Sequence, residues 1–150
     1  MSDTRWLDAD EQRTWRAYLN AHRLLLDAVD AQLRRDSGMP HAYYEILVRL
    51  FEEEARALRM AELADATRMS ASRLSHAIAR LEERGWVRRQ DCPTDRRGQV
   101  AVLTDDGFAA LAAAAPGHVE AVRDALFDTL DAEQIRHLGE ISETLARRLT

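Results

Sequence analysis

The chain has 150 residues, of which 46% are hydrophobic and 31% charged, a composition typical of a soluble globular protein and not of a disordered or membrane-spanning one. The net charge is −5, and the single cysteine, Cys92, excludes an intrachain disulfide and predicts a reducing cytoplasm. The first residues are too polar for a secretory signal peptide, and no apolar run approaches the ~20 residues of a membrane span.

The N-terminal third of the sequence predicts two helices. Asp8 and Glu11 have the spacing of a capping box. After them, apolar residues recur at three- and four-residue intervals, which predicts a long amphipathic helix over about residues 9–35. A Ser-Gly-Met-Pro segment ends this helix, and a second one is expected over about 41–55. We expect residues 56–59 to be a short connector.

The centre of the chain predicts a helix-turn-helix. A short helix over 60–67 precedes a longer helix over 71–84, and Ser70 is well placed to cap the longer one. The predicted buried side of the longer helix consists of Leu74, Ile78 and Leu81. Its predicted outward side consists of Ser72, Arg73, Ser75, His76, Ala79 and Arg80. Small hydroxyls and arginine on the first two turns suit a helix that enters the major groove of DNA.

Two short strands are predicted next. Residues 86–89 and 99–103 contain β-branched and aromatic residues, and the segment 91–98 between them is expected to be a loop with paired arginines. Arginine on a slim hairpin can enter a minor groove. We expect Asp95 to hold one of these guanidinium groups in a bidentate ion pair and so to aim it.

The C-terminal third predicts two further helices. The first covers about 105–130, with a kink or break expected at Pro116. A capping box at Asp131 opens the last helix, whose apolar residues also fall at helical spacing. A central module of about 50 residues could not cover the apolar stripes of both chain ends, so we expect part of them to meet a second copy in a homodimer.

Positive charge is concentrated in the helix-turn-helix and hairpin. Residues 68–97 hold eight arginines and four acidic residues, so this segment carries +4 while the rest of the chain carries −9. A basic face on an acidic body is what binding a polyanion with one surface requires, and duplex DNA is the expected polyanion.

In this region the sequence resembles the MarR family of bacterial transcription regulators. The residues that carry the resemblance are Ser70-x-Ser72, Leu74, Arg80-Leu81-Glu82-x-x-Gly85, Val87-Arg88-Arg89, Pro93-Thr-Asp95-Arg96-Arg97-Gly98 and Val102-Leu103-Thr104-x-x-Gly107. The resemblance implies a mainly α-helical fold with a small β-hairpin wing, built as one domain over 1–150. A winged helix-turn-helix lobe (37–104) would be flanked by long N- and C-terminal dimerisation helices (8–36 and 105–150).

The resemblance further implies a cytoplasmic homodimer that binds a pseudo-palindromic operator, represses transcription and is released by a small-molecule effector. The implied contacts with the major groove and backbone are Ser70, Ser72, Arg73, Ser75, His76, Arg80 and Arg84. The implied wing contacts are Asp95, Arg96 and Arg97, with Arg97 in the minor groove and Asp95 as its orienting partner. The family often has arginine where this chain has His76, so a permanent cation is replaced by one that titrates.

Five of the aromatic side chains on the first two predicted helices are candidates for an effector pocket, which this family usually forms there. They are Trp15, Tyr18, His22, Tyr43 and Tyr44. Aromatic residues at helical spacing are also ordinary core residues, so both interpretations stay open.

Two alternative functions remain at this point. A winged helix can serve as a protein-interaction module, although such a module has little need of arginines on both helix and wing. Cys92 could instead make the protein a thiol-based redox-responsive regulator, but the neighbouring Asp91 is expected to raise the pKa of the thiol, with Arg88 and Arg89 able to offset this. Neither a metal site nor a cofactor is expected, and the sequence contains none of the familiar enzyme motifs.

Overall fold

The computed structural model describes residues 4–150, apart from the side chains of Arg96 and Arg97. The described residues form helices and one three-stranded antiparallel sheet, which confirms the predicted mainly α-helical fold with a β wing. The elements in chain order are α1 (Ala9–Ser37), α2 (His41–Glu52), β1 (Ala57–Arg59), α3 (Met60–Thr67), α4 (Ala71–Glu83), β2 (Val87–Cys92), β3 (Asp95–Leu103), α5 (Asp105–Val122), a π-helical turn (Arg123–Phe127) and α6 (Ala132–Leu149).

The chain divides into two compact units. The terminal unit combines Met1–Asp30 with Val119–Thr150, and the central unit is Ala31–His118. Helices α1 and α5 contribute residues to both. The core of the central unit is an apolar cluster built mainly from fully buried side chains of α2, α3, α4 and β2. The largest of these are Leu33, Met39, Ile46, Leu47, Leu50, Leu63, Leu74, Ile78, Leu81 and Val87.

The predicted capping boxes form at the helix starts. Asp8 Oδ1 accepts a hydrogen bond from the Glu11 amide at 2.8 Å, and Glu11 Oε2 accepts one from the Asp8 amide at 3.0 Å. Asp131 and Gln134 make the same reciprocal pair before α6, at 2.8 and 3.0 Å. Each box satisfies two amides that the helix itself leaves without partners.

Helix α2 is shorter than expected, and the segment after it is a strand. Residues 57–59, expected to be a connector, form β1 and pair with β3, with Leu58 opposite Ala101. Arg56 has a left-handed φ of 51°, and its carbonyl accepts a hydrogen bond from the Leu103 amide at 2.9 Å. A three-residue strand is too short to show a recognisable alternation of apolar and polar side chains in the sequence. It pairs with the edge of β3 that β2 does not use.

The wing hairpin is longer than expected. Strand β2 runs to Cys92 and β3 begins at Asp95, so the predicted loop over 91–98 was wrong and only two residues separate the strands. Cys92 lies opposite Asp95, with a shift of register between Asp91 and Cys92. Inter-strand pairing thus extends to Asp91 and Asp95, although aspartate has a low intrinsic strand propensity.

Helix α5 is continuous through Pro116, so a break at that residue was wrong. The helix changes only after Val122, where a π-helical turn follows and the Asp128 amide donates to the Arg123 carbonyl at 2.8 Å. The irregularity therefore lies further along the chain than the proline suggests.

Two kinds of feature are absent from residues 4–150. No helix there combines the length and the apolar character that crossing a membrane demands. In the same part of the chain, no three histidine, cysteine or acidic side chains are grouped closely enough to hold a metal ion.

Candidate nucleic-acid interface

Helix α4, which we call the reading helix, has the two faces that its sequence predicts. Leu74, Ile78 and Leu81 are buried, and Ala77 joins them. The Ser70 hydroxyl accepts a hydrogen bond from the Arg73 amide at 3.2 Å and so caps the helix as expected. The predicted outward residues that are exposed are Ser72, Arg73, His76 and Arg80, while Ser75 and Ala79 are half-buried. The helix therefore presents hydroxyl, imidazole and guanidinium groups on its first turns.

The turn before the reading helix is fixed by packing and backbone hydrogen bonds. Leu63 and Ala64 of α3 are buried. Arg68 ends α3 with a left-handed φ of 54°, and the Met69 amide donates to the Ala64 carbonyl at 3.0 Å. The buried Thr67 hydroxyl donates to the Leu63 carbonyl at 2.7 Å. These bonds set the angle at which α4 leaves α3, and they define a helix-turn-helix.

Arg80 lies on the exposed side of the reading helix and forms an ion pair with Glu83. Its Nη1 donates to Glu83 Oε2 at 2.9 Å, and this hydrogen bond raises the pKa of Arg80 above its ordinary value. An exposed ion pair of this kind is weak in water. The guanidinium group can therefore exchange the carboxylate for another anion, such as a phosphate.

Glu82 joins the reading helix to the wing, a contact that sequence reasoning did not assign. The Glu82 carboxylate accepts hydrogen bonds from the Arg89 backbone amide and from Arg89 Nε, both at 2.9 Å. Both side chains are about 30% exposed, so this pair is better shielded from water than the surface pairs. It fixes the start of β2 against the end of α4. Glu82 belongs to the sequence motif that carries the family resemblance, so the sequence marked it as a residue of interest. The spacing of the motif did not show that Arg89 is its partner.

Arg84, which was predicted to lie near the DNA backbone, contacts another part of its own chain. Both of its terminal nitrogens donate to the Gly38 carbonyl at 3.0 Å, so the guanidinium group is engaged within the chain. The same group lies over the Trp86 ring, 4.8 Å from its centroid.

The wing tip is described in part. The side chains of Arg96 and Arg97, and with them the predicted pair to Asp95, lie outside the described residues. A Cβ atom added at Gly98 would lie 3.2 Å from Asp95 Oδ2, so a larger residue there would require the Asp95 carboxylate to shift slightly. On the inner side, Arg59 Nη2 donates to Thr94 Oγ1 at 2.7 Å and ties β1 to the hairpin turn.

Cys92 is buried in the wing, and its pKa departs from the expected direction. A hydrogen bond with the Thr94 hydroxyl, at 3.4 Å from the sulfur, is the main cause that lowers the pKa of the thiol, with a smaller contribution from Arg59. The expectation that Asp91 raises this pKa was wrong, because Asp91 is exposed and the buried thiol responds to Thr94 instead. The sulfur is nevertheless shielded, with 7% of the residue exposed.

Three of the five predicted pocket residues belong to the terminal unit. Trp15, Tyr18 and His22 stack along α1, with ring centroids 6.5 and 6.1 Å apart. Tyr18 and His22, but not Trp15, line a largely apolar cavity of about 320 Å³. Its other lining residues are Ala21, Leu25, Ala125, Leu126, Leu138 and Ser142.

The other two predicted pocket residues belong to the central unit and do not line that cavity. Tyr44 is a core residue, and burial raises the pKa of its hydroxyl. It lines a more open cavity of about 260 Å³ together with His41 and His118. Tyr43 lies beneath the Arg84 guanidinium, 5.9 Å from the ring centroid. Among the cavities described here, Tyr18 and His22 line one and Tyr44 lines the other.

His118 makes the stability of the protein depend on pH. Its ring lies 4.4 Å from Tyr44 and 5.6 Å from His41, and burial, followed by the charge on His41, lowers the pKa of His118 below 6.5. Below pH 6.5 the unfolded chain therefore binds this proton more readily than the folded one, and stability falls as the pH drops. We expect His118→Phe to remove part of the loss of unfolding free energy between pH 7 and pH 5, measured by urea denaturation.

The exposed His137 supplies the control for that measurement. His137→Phe makes the same replacement at an exposed position, and it measures how much of any change comes from exchanging a histidine for a phenylalanine. A His118→Phe protein with an unaltered pH profile would show that His118 is protonated equally well in both states.

The arrangement of α3, the reading helix and the β2–β3 hairpin defines a winged helix-turn-helix protein. Comparison with known proteins then identifies the family within this class. A sequence profile described as "MarR family" matches residues 37–98. Sco3205, a MarR family transcriptional regulator from Streptomyces coelicolor solved in complex with DNA, is 55% identical, with coverage of 100% of this chain and 94% of its own and a TM-score of 0.95. AbsC, a second such regulator from the same organism, is 42% identical, with coverages of 97% and 98% and a TM-score of 0.91. The chain belongs to the MarR family of transcriptional regulators.

More distant relatives are similar over a shorter region. The HTH-type transcriptional regulator PecS of Dickeya dadantii (strain 3937) is 34% identical over 93 residues, which are 62% of this chain and 55% of PecS. The chain thus spans about half the length of the curated relatives that it matches. These relatives are regulators of transcription, which confirms the prediction that the chain is not an enzyme.

Proposed function

We propose that the protein binds duplex DNA in a sequence-specific manner, as a homodimer on a pseudo-palindromic operator, and represses transcription by occluding a promoter. The observation that carries the proposal is the reading helix, whose exposed Ser72, Arg73 and His76 stand above a fully buried apolar face. The solved complex of the 55% identical Sco3205 with DNA supports it.

The proposed contacts lie in both grooves of the DNA duplex. Ser70, Ser72, Arg73, Ser75 and His76 meet base edges and phosphates in the major groove, where the donor and acceptor pattern distinguishes all four base pairs. Arg80 contacts the backbone. The proposed wing contacts are Asp95, Arg96 and Arg97, with Arg97 in the minor groove and Asp95 as its orienting partner. A narrow minor groove has an enhanced negative potential that favours guanidinium groups.

The proposed dimer is built from the helices over 8–36 and 105–150. Exposed large apolar side chains of the terminal unit support this, because a monomer rarely exposes so many. They are Trp6, Leu7, Trp15, Tyr18, Leu24, Leu26, Val119, Phe127, Ile141, Leu145 and Leu149. To bind successive major grooves, the two reading helices of such a dimer would have to lie about 34 Å apart, one turn of the duplex.

Regulation of this dimer is proposed to come from a small-molecule effector in the cytoplasm. The apolar cavity lined by Tyr18 and His22 supports an effector site, since it combines apolar walls with a few polar groups. An effector acts there if it binds more tightly to a dimer whose reading helices no longer match successive major grooves.

Fluorescence anisotropy with the DNA that flanks the protein's own gene tests the proposal. We expect tight binding to that duplex, weak binding to a scrambled duplex of equal length, and a steep loss of affinity between ~50 and ~200 mM salt. Equal, weak binding to both duplexes would contradict an operator at that locus and favour a winged helix that serves another protein.

Arg97→Ala tests the wing within the same assay. Loss of a minor-groove guanidinium should weaken operator binding by about ten-fold or more, while dimerisation and thermal stability stay nearly unchanged. Arg148→Ala, a change in the last turn of α6, is the matched loss of one positive charge outside the proposed DNA contacts. Unaltered affinity of the Arg97→Ala protein would remove the wing from the mechanism.

A further inference from the structure

The turn that follows the reading helix is held from two sides by other parts of the central unit. We call Arg84, Gly85 and Trp86 the exit turn. Gly85 has a left-handed φ of 72°, and the Trp86 amide donates to the Leu81 carbonyl at 3.0 Å, so the turn closes the helix in a fixed geometry. A displacement of this turn would therefore also move the end of the reading helix.

The first anchor of the exit turn is the end of α1. Both terminal nitrogens of Arg84 donate to the Gly38 carbonyl at 3.0 Å. Gly38 has a left-handed φ of 63° and its amide donates to the Arg34 carbonyl at 3.1 Å, so this carbonyl belongs to the cap of α1. The guanidinium group also lies over the rings of Trp86 and Tyr43. The planar guanidinium group of arginine can stack on aromatic rings and donate two hydrogen bonds at once, whereas the ammonium group of lysine cannot do both.

The second anchor is the start of α5. The Thr104 amide donates to the Trp86 carbonyl at 3.1 Å, and the Thr104 hydroxyl donates to the Gly85 carbonyl at 2.6 Å. The same hydroxyl accepts a hydrogen bond from the Gly107 amide at 3.0 Å. A Cβ atom at Gly107 would lie 2.0 Å from the Trp86 carbonyl oxygen, so the exit turn and α5 are in direct backbone contact.

We infer that Arg84 is a positioning residue, which sets the direction of the reading helix by clamping its exit turn to the end of α1. Helices α1 and α5 carry the chain into and out of the central unit. Because the exit turn is bound to both, a rotation of either helix is passed directly to the reading helix. The inference rests on the proposed DNA binding by α4, and it assigns Arg84 a role within the protein in place of the predicted contact with the DNA backbone.

Lysine substitution separates the two roles of Arg84. A phosphate contact survives the change to lysine, whereas the bidentate, stacked clamp does not. We expect Arg84→Lys to weaken operator binding about as much as Arg84→Ala, by roughly three- to thirty-fold, as for residues that couple sites without touching ligand. The slope of log Kd against log salt should stay unchanged in both, because a lost phosphate contact would lower it by about 0.9.

Arg73, exposed on the same helix and proposed to contact DNA, supplies the matched pair. Arg73→Ala should lower the salt slope, and Arg73→Lys should restore it. Arg84→Lys binding like the original protein, or a lower salt slope for Arg84→Ala, would overturn the clamp. If the original protein and both Arg73 variants bind no duplex at all, it is the proposed function that fails.

Hydrogen exchange of the DNA-free protein tests the clamp independently of any operator. Arg84→Lys should speed exchange of the Gly85 and Trp86 amides and of the Gly38 amide several-fold, while Arg73→Lys leaves them unchanged. Unaltered exchange at these amides would overturn the inference, whatever the DNA assay shows.

Discussion

Gly107→Ala is expected to destabilise the protein by about 3 kcal/mol or more. The new Cβ would lie 2.0 Å from the Trp86 carbonyl oxygen and 2.8 Å from its carbonyl carbon, and both of these are backbone atoms. If the first turn of α5 or the exit turn moved away to relieve this clash, the hydrogen bond between the Thr104 amide and the Trp86 carbonyl would break. A domain is stable by only about 5–15 kcal/mol, so urea denaturation should show a large fall of the midpoint.

Gly139→Ala is the matched control for this substitution. Gly139 lies inside α6, and a Cβ atom there meets no described atom within 4 Å. Replacing a helical glycine by alanine in open space should raise stability by about 0.5–1 kcal/mol. A Gly107→Ala protein with the original midpoint would show that the first turn of α5 can move away from Trp86 at little cost.

The reading helix could be predicted because local chemistry determines it. Ser70 caps its first turn, and the positions of Leu74, Ile78 and Leu81 fix which side is buried, whatever the rest of the chain does. The remaining residues of the helix are then predicted to face solvent. Most of the candidate DNA-binding surface could therefore be predicted from about a dozen consecutive residues.

The internal partner of Arg84 could not be predicted in the same way. Charge and position on α4 place Arg84 with Arg73 and Arg80, and nothing local distinguishes the three. Its partner, the Gly38 carbonyl, lies 46 residues earlier in the sequence. Because a main-chain carbonyl exists at every position, no residue pattern marks the one that will be used. The contact depends on tertiary packing that brings the two segments together.

Strand pairing was misjudged for a similar reason. Residues 57–59 have no periodicity to detect, and they become a strand because β3 offers unpaired amides and carbonyls opposite them. In the hairpin, cross-strand hydrogen bonds carry β2 and β3 well past the residues with high strand propensity. Propensity located the strands, but the partner strand determined their length.

Deleting residues 131–150 is expected to abolish dimerisation and operator binding together. None of the described side chains of α6 is buried in this chain, so the deletion leaves the core of the central unit intact. The helix nevertheless carries Ile141, Leu145 and Leu149 on its surface, with 57%, 44% and 81% exposed. Apolar residues at this spacing form a stripe that a partner helix can cover.

The loss of DNA binding follows from the loss of the second reading helix. A monomer engages one half-site, and without the linked second contact its affinity should fall by 10²-fold or more. Light scattering measures the dimer, anisotropy measures operator affinity, and circular dichroism checks that the reading helix persists. Arg136→Ala with Glu140→Ala removes an exposed ion pair from α6 and should change neither property. A truncated chain that remains a dimer with full affinity would show that α6 covers its apolar stripe within its own chain, and that dimerisation depends on α1 and α5 alone.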